Sequence, residues 1–344
     1  MKCLCCDSNN IVRRGQKPNY EIFHCKNCKL EFVYPLPSYD EIQKHYNKTR
    51  VSKNIKQLVR KSINEIENNP NSPKRDWFDK ILDIAKNYNN KDNLNILELG
   101  SGYGYFVHYA NTKGHNAVGT EVTEKYASSS KGIIKGEILY IEDNQYNNYF
   151  DDNMFDLIYM DHVFEHLFEP NTILERLKPL LREEGTIIIS VPNHKSILSR
   201  VLGLRWRWTC PPDHLYFYNK DALIRLFNKH DFKILQSWTG DYFFRSIYQF
   251  YSFNNWINRL KRTLNKYLNK NFAIKKHSYK YPRNVADILT LVPYWLLFPV
   301  IKLCARADLG SELIIIAKKQ FGDSIRATKN DKFNSNETYF FLVI

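Results

Sequence analysis

The sequence predicts an α/β fold with a doubly wound, mainly parallel β-sheet, and three observations support this prediction. Short apolar runs alternate with amphipathic helical stretches between residues 90 and 240. One of these runs, Ile96 to Leu99, leads directly into a loop with glycines at alternate positions, and an amphipathic stretch from Tyr105 to Lys113 follows at once. A strand, a tight glycine loop and a helix in this order form the repeating unit of such a sheet.

The glycine loop predicts a binding site for a nucleoside-like cofactor. Glycine has no Cβ and tolerates positive φ, so a ligand can lie against bare backbone, and the new helix offers free N–H groups. The dinucleotide fingerprint G-x-G-x-x-G is not met, because Tyr105 stands where its third glycine would be. Glu98 precedes the loop, and a carboxylate there favours a positively charged ligand. S-adenosylmethionine, which carries a sulfonium and an ammonium group, meets both conditions.

The sequence E-L-G-S-G-Y-G, from Glu98 to Gly104, resembles the first motif of class I S-adenosylmethionine-dependent methyltransferases, which is usually written E/D-x-G-x-G-x-G. The resemblance implies a Rossmann-like sheet of seven strands, in which the last strand is antiparallel and inserted beside the fifth. It also implies cofactor contacts from five residues of the loop. These residues are Glu98, Gly100, Ser101, Gly102 and Gly104.

Acidic positions further along the chain complete the predicted cofactor site. The short strand from Asn116 to Gly119 ends on Glu121, whose carboxylate can accept hydrogen bonds from both ribose hydroxyls. A third strand, Glu137 to Ile141, is followed by an acidic pair. The resemblance implies that Asp143 of this pair lies beside the adenine, and Asp161, after the fourth strand, is expected to add a further contact to the cofactor.

The N-terminal cysteines predict a structural zinc site. Two C-x2-C pairs, Cys3 with Cys6 and Cys25 with Cys28, are separated by the 18 residues from 7 to 24, a spacing typical of a zinc ribbon. Four thiolate ligands leave no open position for water, so the metal is expected to be structural. Cys5 leaves one ligand open, because it could replace Cys6 through a poorer C-x-C knuckle. A redox pair is the weaker alternative, since neither C-x2-C lies in a thioredoxin-like βαβ context.

The chain between these two sites predicts connecting elements. A proline turn at Pro35 and Pro37 follows the ribbon, and this arrangement resembles the ribbons fused to bacterial methyltransferases that act on sugars and surface polysaccharides. The polar stretch 47–75 is predicted as a helical or flexible connector. Apolar positions from Asp76 to Tyr88 fit one face of a helix, which is expected to cover the sheet.

The acceptor site is predicted after the fourth strand, Phe155 to Met160, because ligands bind at the carboxyl ends of strands in such sheets. The next residues, D-H-V-F-E-H-L, place His162, Glu165 and His166 at that edge, on one face of a helix. Their H-x-x-E-H spacing also matches a zinc-protease motif, but a position downstream of a cofactor loop argues against proteolysis. Some ubiquinone-type relatives hold a divalent cation here, yet His162 replaces an expected acid, which leaves that metal open. The alternative is that Glu165 and His166 only orient the loop.

Two later segments extend the resemblance to the family of ubiquinone-type O-methyltransferases. They are G-x-I-x-x-S-x-P-N in the predicted fifth strand and H-L-Y-F-Y-N, which begins at His214. The resemblance places His214 near the active centre, where it joins His166 as a candidate general base. The loop Asn193 to Asp213 lies before it, and its aromatic and Arg side chains suit a sugar ring attached to a phosphate. Trp206 and Trp208 of this loop serve equally well as core residues.

The net charge of +14 is concentrated in one segment. Between Asp241 and Asp287 there is no acidic residue but ten basic ones, and fourteen uncharged residues, Ile288 to Ile301, follow. This apolar run is too short and too interrupted by proline to span a bilayer. A basic stretch beside an apolar one predicts peripheral contact of 245–301 with an anionic membrane surface. The alternative is a helical insertion that packs on the sheet.

The cysteine content bears on compartment. Seven cysteines, five of them near the N-terminus, indicate metal chemistry rather than a secreted disulfide framework, and no secretory signal is visible. The cytoplasm, or the inner face of its membrane, is therefore expected. The predicted regions are a zinc ribbon at 1–46, a helical connector at 47–90, the methyltransferase core at 91–240, a basic and apolar helical insertion at 241–311, the last core strand at 312–320 and a tail at 321–344.

These features together predict methyl transfer from S-adenosylmethionine to a sugar, on a nucleotide or a lipid-linked surface glycan. O-methylation is preferred, because the longer third domain usual in deoxysugar C-methyltransferases is missing. Zinc and basic charge also fit an RNA methyltransferase, but the N-P-P-Y type motif of base methylation is absent, so nucleic acid is the less favoured partner. The other rival is a non-catalytic adaptor of a glycan locus or membrane, which an intact cofactor loop argues against.

Overall fold

The chain forms two β-sheets and a set of covering helices in the computed structural model, which describes residues 1–48, 54–141, 146–240 and 303–320. The predicted adenine contact at Asp143, most of the basic insertion and the tail lie outside the described residues. None of the helices within these ranges has the length and apolarity that a membrane span requires. The elements, in chain order, are β1 (Ile11–Lys17), β2 (Tyr20–Cys25), β3 (Glu31–Val33), α1 (Tyr39–Lys48), α2 (Ile55–Asn68), α3 (Pro73–Asn89), β4 (Asn95–Leu99), α4 (Tyr105–Thr112), β5 (Asn116–Glu121), α5 (Glu124–Ser129), β6 (Glu137–Tyr140), β7 (Phe155–Asp161), α6 (Pro170–Leu180), β8 (Leu181–Pro192), α7 (Ile197–Leu202), β9 (Tyr216–Phe217), α8 (Lys220–Lys229), β10 (Phe232–Gly240) and β11 (Glu312–Lys319).

The large sheet has the strand order β10-β11-β8-β7-β4-β5-β6. The five strands from β8 to β6 are parallel to their neighbours, whereas β11 pairs antiparallel with both β8 and β10. The predicted sheet of seven strands, with the last one antiparallel and inserted beside the fifth, is therefore confirmed. β11 can occupy this central place because its run E-L-I-I-I-A-K-K is apolar on both faces, as a strand covered on both sides must be.

The helix α3 covers one face of this sheet. Ser72 caps it by accepting a hydrogen bond from the Arg75 N–H, and Pro73 occupies the first turn, where its missing N–H does no harm. These two residues start the helix three positions earlier than predicted. Trp77 lies on its buried face, and its indole N–H donates to the Tyr159 hydroxyl of β7 at 2.9 Å. The helix is thus bonded as well as packed onto the sheet.

Two expectations about the edge of the sheet are wrong. Residues 162–166 do not form one face of an α-helix, because the chain leaves β7 with His162 at φ +53°, which a right-handed helix does not tolerate. Only a short 3-10 turn, Phe164–His166, follows before Pro170 opens α6. The stretch 193–213 is also not all loop, since it contains α7, which the Ser196 side chain caps at the Ser199 N–H.

The small sheet joins the N-terminal ribbon to the rest of the chain. β1, β2 and β3 form an antiparallel meander, and β9 pairs antiparallel with β3 as a fourth strand. The buried cysteines Cys3, Cys25 and Cys28 belong to the same hydrophobic cluster as Ile158 of β7 and Phe227 of α8. The ribbon therefore packs into the same hydrophobic core as the large sheet and is not a separate domain joined by a linker.

Candidate functional site

The glycine loop after β4 has the backbone that a bound ligand requires. Gly100, Gly102 and Gly104 have φ values of +62°, +54° and +69°, in the left-handed region that favours glycine. A Cβ at Gly100 would lie 2.6 Å from Val163, and one at Gly104 would lie 2.6 Å from Ile138. A Cβ at Gly102 would meet no described atom within 4 Å. The outer glycines are packed against neighbours, whereas the middle one faces open space where a ligand can lie.

Glu121 holds this loop from the end of β5. Its two carboxylate oxygens accept hydrogen bonds from the backbone N–H of Gly102 at 2.9 Å and of Thr123 at 3.1 Å. Burial raises the pKa of this carboxyl, and these backbone hydrogen bonds oppose the rise. A carboxylate oxygen can accept more than one hydrogen bond, so Glu121 retains capacity for a ligand hydroxyl. Its role as the ribose contact stays a prediction.

Two carboxylates lie close together at the ends of the neighbouring strands β4 and β7. Burial, and then the charge of Asp161, raise the pKa of Glu98 well above its ordinary value. The Oε2 atom of Glu98 is buried and has no hydrogen-bond partner among the described residues. Ser190 Oγ donates a hydrogen bond to Asp161 Oδ1. A cation placed here would relieve the repulsion and satisfy the unbonded oxygen, so the site fits the positive charges of S-adenosylmethionine.

Three histidines surround a buried carboxylate in the turn that follows β7. Glu165 is 1% exposed, and its Oε1 lies 3.4 Å from His162 Nδ1 and 3.9 Å from Nε2 of both His166 and His214. Neither Glu165 oxygen accepts a hydrogen bond from any described group, and His162 Nδ1 also has no hydrogen-bond partner among them. Burial raises the pKa of Glu165, but the three imidazoles more than offset this and lower it to about 2. A buried charge without hydrogen bonds indicates that a further partner completes this site.

His162 is held between two acids in a strained conformation. Its Nδ1 faces Glu165, and its Nε2 lies 3.7 Å from Oε1 of Glu312, the first residue of β11. Burial lowers the pKa of His162, but these carboxylates and Asp161 raise it well above its ordinary value. Positive φ at a residue other than glycine costs on the order of 1–3 kcal/mol and is typical of functional sites. Sequence reasoning missed Glu312, which carries no local motif and reaches the site only through strand pairing.

His166 is fixed in one tautomer. Its Nδ1 lies 2.6 Å from the carbonyl oxygen of Asp213, which can only accept, so Nδ1–H is the donor. In the neutral ring Nε2 then carries the lone pair. The His166 side chain is 27% exposed, whereas the His214 side chain is only 5% exposed. Of the two predicted bases, His166 therefore has the more exposed ring, and its tautomer is defined by the Asp213 carbonyl.

An aromatic stack forms the opposite wall of the site. The Trp208 ring lies between His162, at 5.4 Å and 21°, and His214, at 5.6 Å and 8°. The Arg207 guanidinium lies 4.6 Å from the centre of the same indole. Trp206 is 3% exposed and packs edge-on against His194, so one of the two tryptophans is a core residue and the other lines the site.

The pKa of His214 bears on what this side chain can do. Burial lowers it to about 4, and the charge of Glu165 opposes only part of that effect. His214 is therefore a neutral imidazole near pH 7. It lies edge-on to His166, with ring centres 4.6 Å apart, so it supports the position of that ring.

The thiolates of the ribbon converge on one point. The Sγ atoms of Cys3, Cys6, Cys25 and Cys28 all lie within 4.8 Å of one another, with Cys3 and Cys28 at 3.4 Å and Cys6 and Cys25 at 3.6 Å. Four sulfurs around a zinc ion are separated by about 3.8 Å, so this set fits the metal. Cys5 lies outside the set, and burial raises the pKa of its thiol well above the ordinary value.

Glu165 and the three histidines around it, His162, His166 and His214, are named here the histidine cluster. A second set of side chains of the kind that bind metals lies within it. One ligand atom each from Glu165, His166 and His214 can be chosen so that all three lie within 4.8 Å of one another. His162, which sequence reasoning compared with a ligand position of ubiquinone-type relatives, does not belong to this set. It faces Glu165 and Glu312 instead.

The cofactor loop and the histidine cluster are in direct contact. Val163, which lies within the histidine turn, packs against the α-carbon of Gly100. Residues 70–237, which include both sites, match the family model of a methyltransferase domain. This region is a methyltransferase domain, and its sheet has the class I strand arrangement. The cofactor-binding and catalytic roles of the individual residues in the methyltransferase stay predictions.

Several solved structures are similar to this chain. A SAM-dependent methyltransferase from Archaeoglobus fulgidus is 16% identical, with 70% of this chain and 94% of that chain covered and a TM-score of 0.41. An S-adenosylmethionine-dependent methyltransferase from Clostridium acetobutylicum is 12% identical, with 76% and 97% covered and a TM-score of 0.43. One from Aquifex aeolicus is 18% identical, with 54% and 90% covered and a TM-score of 0.38. These likenesses concern the fold alone. A search of the curated proteins found no significant match.

Proposed function

We propose that this methyltransferase transfers the methyl group of S-adenosylmethionine to a hydroxyl of a sugar that is carried on a nucleotide or a lipid. The observation that carries this proposal is the wall formed by Trp208 beside the unbonded carboxylate of Glu165. The half-buried indole of Trp208, which stacks with His162 and His214, leaves part of its ring for the C–H groups of a sugar, and an unbonded carboxylate suits the sugar hydroxyls. The exposed Arg207 next to Trp208 suits a phosphate on the same acceptor.

The cofactor side of the site performs binding and alignment. Bound S-adenosylmethionine would supply an electrophilic methyl group, and its sulfur would keep the electron pair of the carbon–sulfur bond that breaks and leave as a neutral thioether. Glu98 and Asp161 would hold its positively charged end, Gly102 would let it lie against the backbone, and Glu121 would accept from its ribose. A direct displacement gains most from holding the two reacting atoms in line, so these contacts account for a large part of the rate.

The acceptor side moves one proton. As the acceptor oxygen bonds to the methyl carbon, its proton passes to Nε2 of His166, whose Nδ1–H remains bonded to the Asp213 carbonyl. The imidazolium that forms lies beside the carboxylate of Glu165, whose Oε1 is 3.9 Å from the same Nε2 and stabilises the new charge. His214 and His162 line the same carboxylate and, together with Trp208, shape the space for the acceptor.

The ribbon supports this function as a structural zinc site. Cys3, Cys6, Cys25 and Cys28 would bind one zinc ion with no open coordination position. The unpaired thiols in the described residues agree with the reducing cytoplasm as the compartment. Peripheral contact of residues 245–301 with the membrane would bring a lipid-linked acceptor to the site.

Two measurements test the proposal. Calorimetry of the full chain should give micromolar binding of S-adenosylmethionine. The chain is then incubated with cofactor that carries a deuterated methyl group and with three acceptor panels, namely nucleotide sugars, lipid-linked glycans and RNA. A labelled sugar whose label maps to oxygen supports the proposal. Label on RNA alone would overturn the sugar acceptor, label on carbon would overturn O-methylation, and failure to bind the cofactor would favour an adaptor.

A further inference from the structure

Residues 213–217, named here the anchor segment, are bonded to the histidine cluster on both sides of His214. The carbonyl of Asp213 accepts from His166 Nδ1 at 2.6 Å. The N–H of Leu215 donates to the backbone carbonyl of Glu165 at 3.0 Å. The anchor segment therefore sets the orientation of His166 and the position of Glu165 through main-chain groups, which no side-chain motif reveals.

The same segment is bonded to the ribbon. The carbonyl of Leu215 accepts from the N–H of Val33, in β3, at 2.9 Å. The last two residues of the segment form β9, which pairs with Phe32 and Glu31. On the other side of His214, the carboxylate of Asp213 lies 2.6 Å from His45 Nε2 of α1. Asp213 and Leu215 thus each contact the turn at 165–166 and also contact the N-terminal region.

The cysteine knuckle leads directly into β3. The turn between Cys25 and Leu30 is closed by two main-chain hydrogen bonds of Cys25, one from its N–H to the Leu30 carbonyl and one from the Lys29 N–H to its carbonyl, each 2.9 Å long. Asn219, just past β9, donates from Nδ2 to the carbonyl of Cys28 at 3.2 Å. A metal ion that joins Cys25 to Cys28 therefore fixes the start of β3.

The cofactor side is held by different bonds. The N–H of Ser101 donates to the carbonyl of Thr120 at 2.9 Å, and the N–H of Gly102 donates to Glu121. Both partners belong to β5, which lies on the far side of β4 from β7. The glycine loop is thus supported by the large sheet itself.

We propose that the ribbon is part of the acceptor site, because its metal ion fixes β3 and β3 holds the anchor segment that positions His166 and Glu165. The inference rests on the proposed function in that it takes His166 as the base. Metal binding by the four thiolates then controls the order of the acceptor side while the cofactor side stays intact. Asp213, Leu215 and Asn219 act as positioning residues in this arrangement.

Amide hydrogen exchange of the zinc-loaded full chain tests this proposal, with Cys25→Ser to remove a metal ligand. Exchange in peptides that cover 163–166 and 213–217 should rise by about tenfold or more, while exchange in 96–104 stays unchanged. The affinity for S-adenosylmethionine should stay within about twofold of the original. Cys304→Ser, which changes a cysteine outside the ribbon, is the matched control and should alter neither peptide.

A second variant keeps the test decisive if Cys25→Ser does not fold. Asn219→Asp retains the Oδ1 that caps α8 at the Ala222 N–H, but it loses the amide donor to the Cys28 carbonyl. Its zinc content should be unchanged, and exchange should rise in the same two peptides to a smaller extent. Unchanged exchange in 213–217 in both variants would overturn the proposal, as would equal loosening of 96–104. If the variants show these exchange changes but the wild-type chain binds no S-adenosylmethionine, the proposed function is wrong and the structural coupling still holds.

Discussion

The cofactor side and the acceptor side of the site are assembled in different ways. The cofactor side comes from three adjacent strands, β7, β4 and β5, through Asp161, Glu98 to Gly104 and Glu121. The acceptor side draws on three segments that are distant in the chain, 162–166, 208–215 and Glu312. The first is therefore local and self-supporting, whereas the second depends on how separate elements pack.

The two sides also differ in charge. On the cofactor side, burial raises the pKa values of Glu98 and Glu121, so these carboxyls favour a ligand that brings positive charge. On the acceptor side, three imidazoles outweigh burial and lower the pKa of Glu165 to about 2. His162, whose pKa the neighbouring carboxylates raise, supplies positive charge on this side, whereas His214 is neutral near pH 7, so the site suits a neutral hydroxyl.

The largest expected effect is on the rate of methyl transfer and comes from a substitution on the acceptor side. His166→Gln should lower the rate of methyl transfer by about 1000-fold, because it removes the nitrogen that accepts the proton. Binding of S-adenosylmethionine, measured by calorimetry, should not change. His214→Gln is the matched control, and it should lower the rate by only about tenfold, since that ring packs against His166. The reverse order of these two losses would assign the base to His214.

The next largest effect is on cofactor affinity and comes from a substitution in the glycine loop. Gly102→Arg should weaken S-adenosylmethionine binding by about 100-fold, because the new side chain fills the open space at the middle of the loop. Gly203→Arg matches it closely, since Gly203 has φ +53° and open space around its α-carbon but lies between α7 and the Trp206 turn. Equal loss of affinity in both variants would show that backbone strain, and not the ligand site, is responsible.

The pH dependence of the free energy of unfolding tests the junction between the ribbon and the large sheet. His194 Nδ1 lies 3.6 Å from Oε2 of Glu31 in β3, and burial lowers the pKa of His194 to about 3. The unfolded chain, with an ordinary pKa near 6.5, then binds the proton more readily than the folded one. The contribution of neutral His194 to stability is therefore complete above pH about 6.5. The free energy of unfolding should fall by about 2 kcal/mol between pH 7 and pH 5.

Urea unfolding of the zinc-loaded chain at these two pH values measures this loss. His194→Gln should remove about 2 kcal/mol of the difference between them, because glutamine does not titrate. Other buried histidines contribute to both proteins alike, so the comparison isolates His194. The same pH dependence in the variant and the wild type would contradict the expectation.

The smallest effect sharpens the assignment of the two tryptophans. Trp208→Leu should raise the KM for the sugar acceptor by about tenfold through loss of the half-buried aromatic ring, with cofactor affinity unchanged. Trp206→Leu should lower the melting temperature, because that ring is buried against His194, and should leave the KM nearly unchanged. A KM that responds to Trp206 and not to Trp208 would place the acceptor on the other face of the loop.

The two sides were not equally predictable, and particular residues show why. The strand, glycine loop and helix around Gly102 follow from neighbouring residues, as do the seven strands of the large sheet. The expected helix at 162–166 was wrong, because His162 has a positive φ, and its side chain faces Glu312, which is distant in the chain and outside the local pattern. The choice between Trp206 and Trp208 stayed open for the same reason.

Local sequence patterns were enough to predict the class of the fold, the cofactor loop and the cysteine pairs, because apolar periodicity, glycine spacing and C-x2-C spacing act over a few residues. Only the tertiary structure decided that Cys6 and not Cys5 joins the other thiolates, that Glu312 reaches His162, and that β9 pairs with β3. Each of these depends on which distant elements pack together. That choice is made by the burial of the whole core, since no short segment carries enough apolar surface to specify its partner.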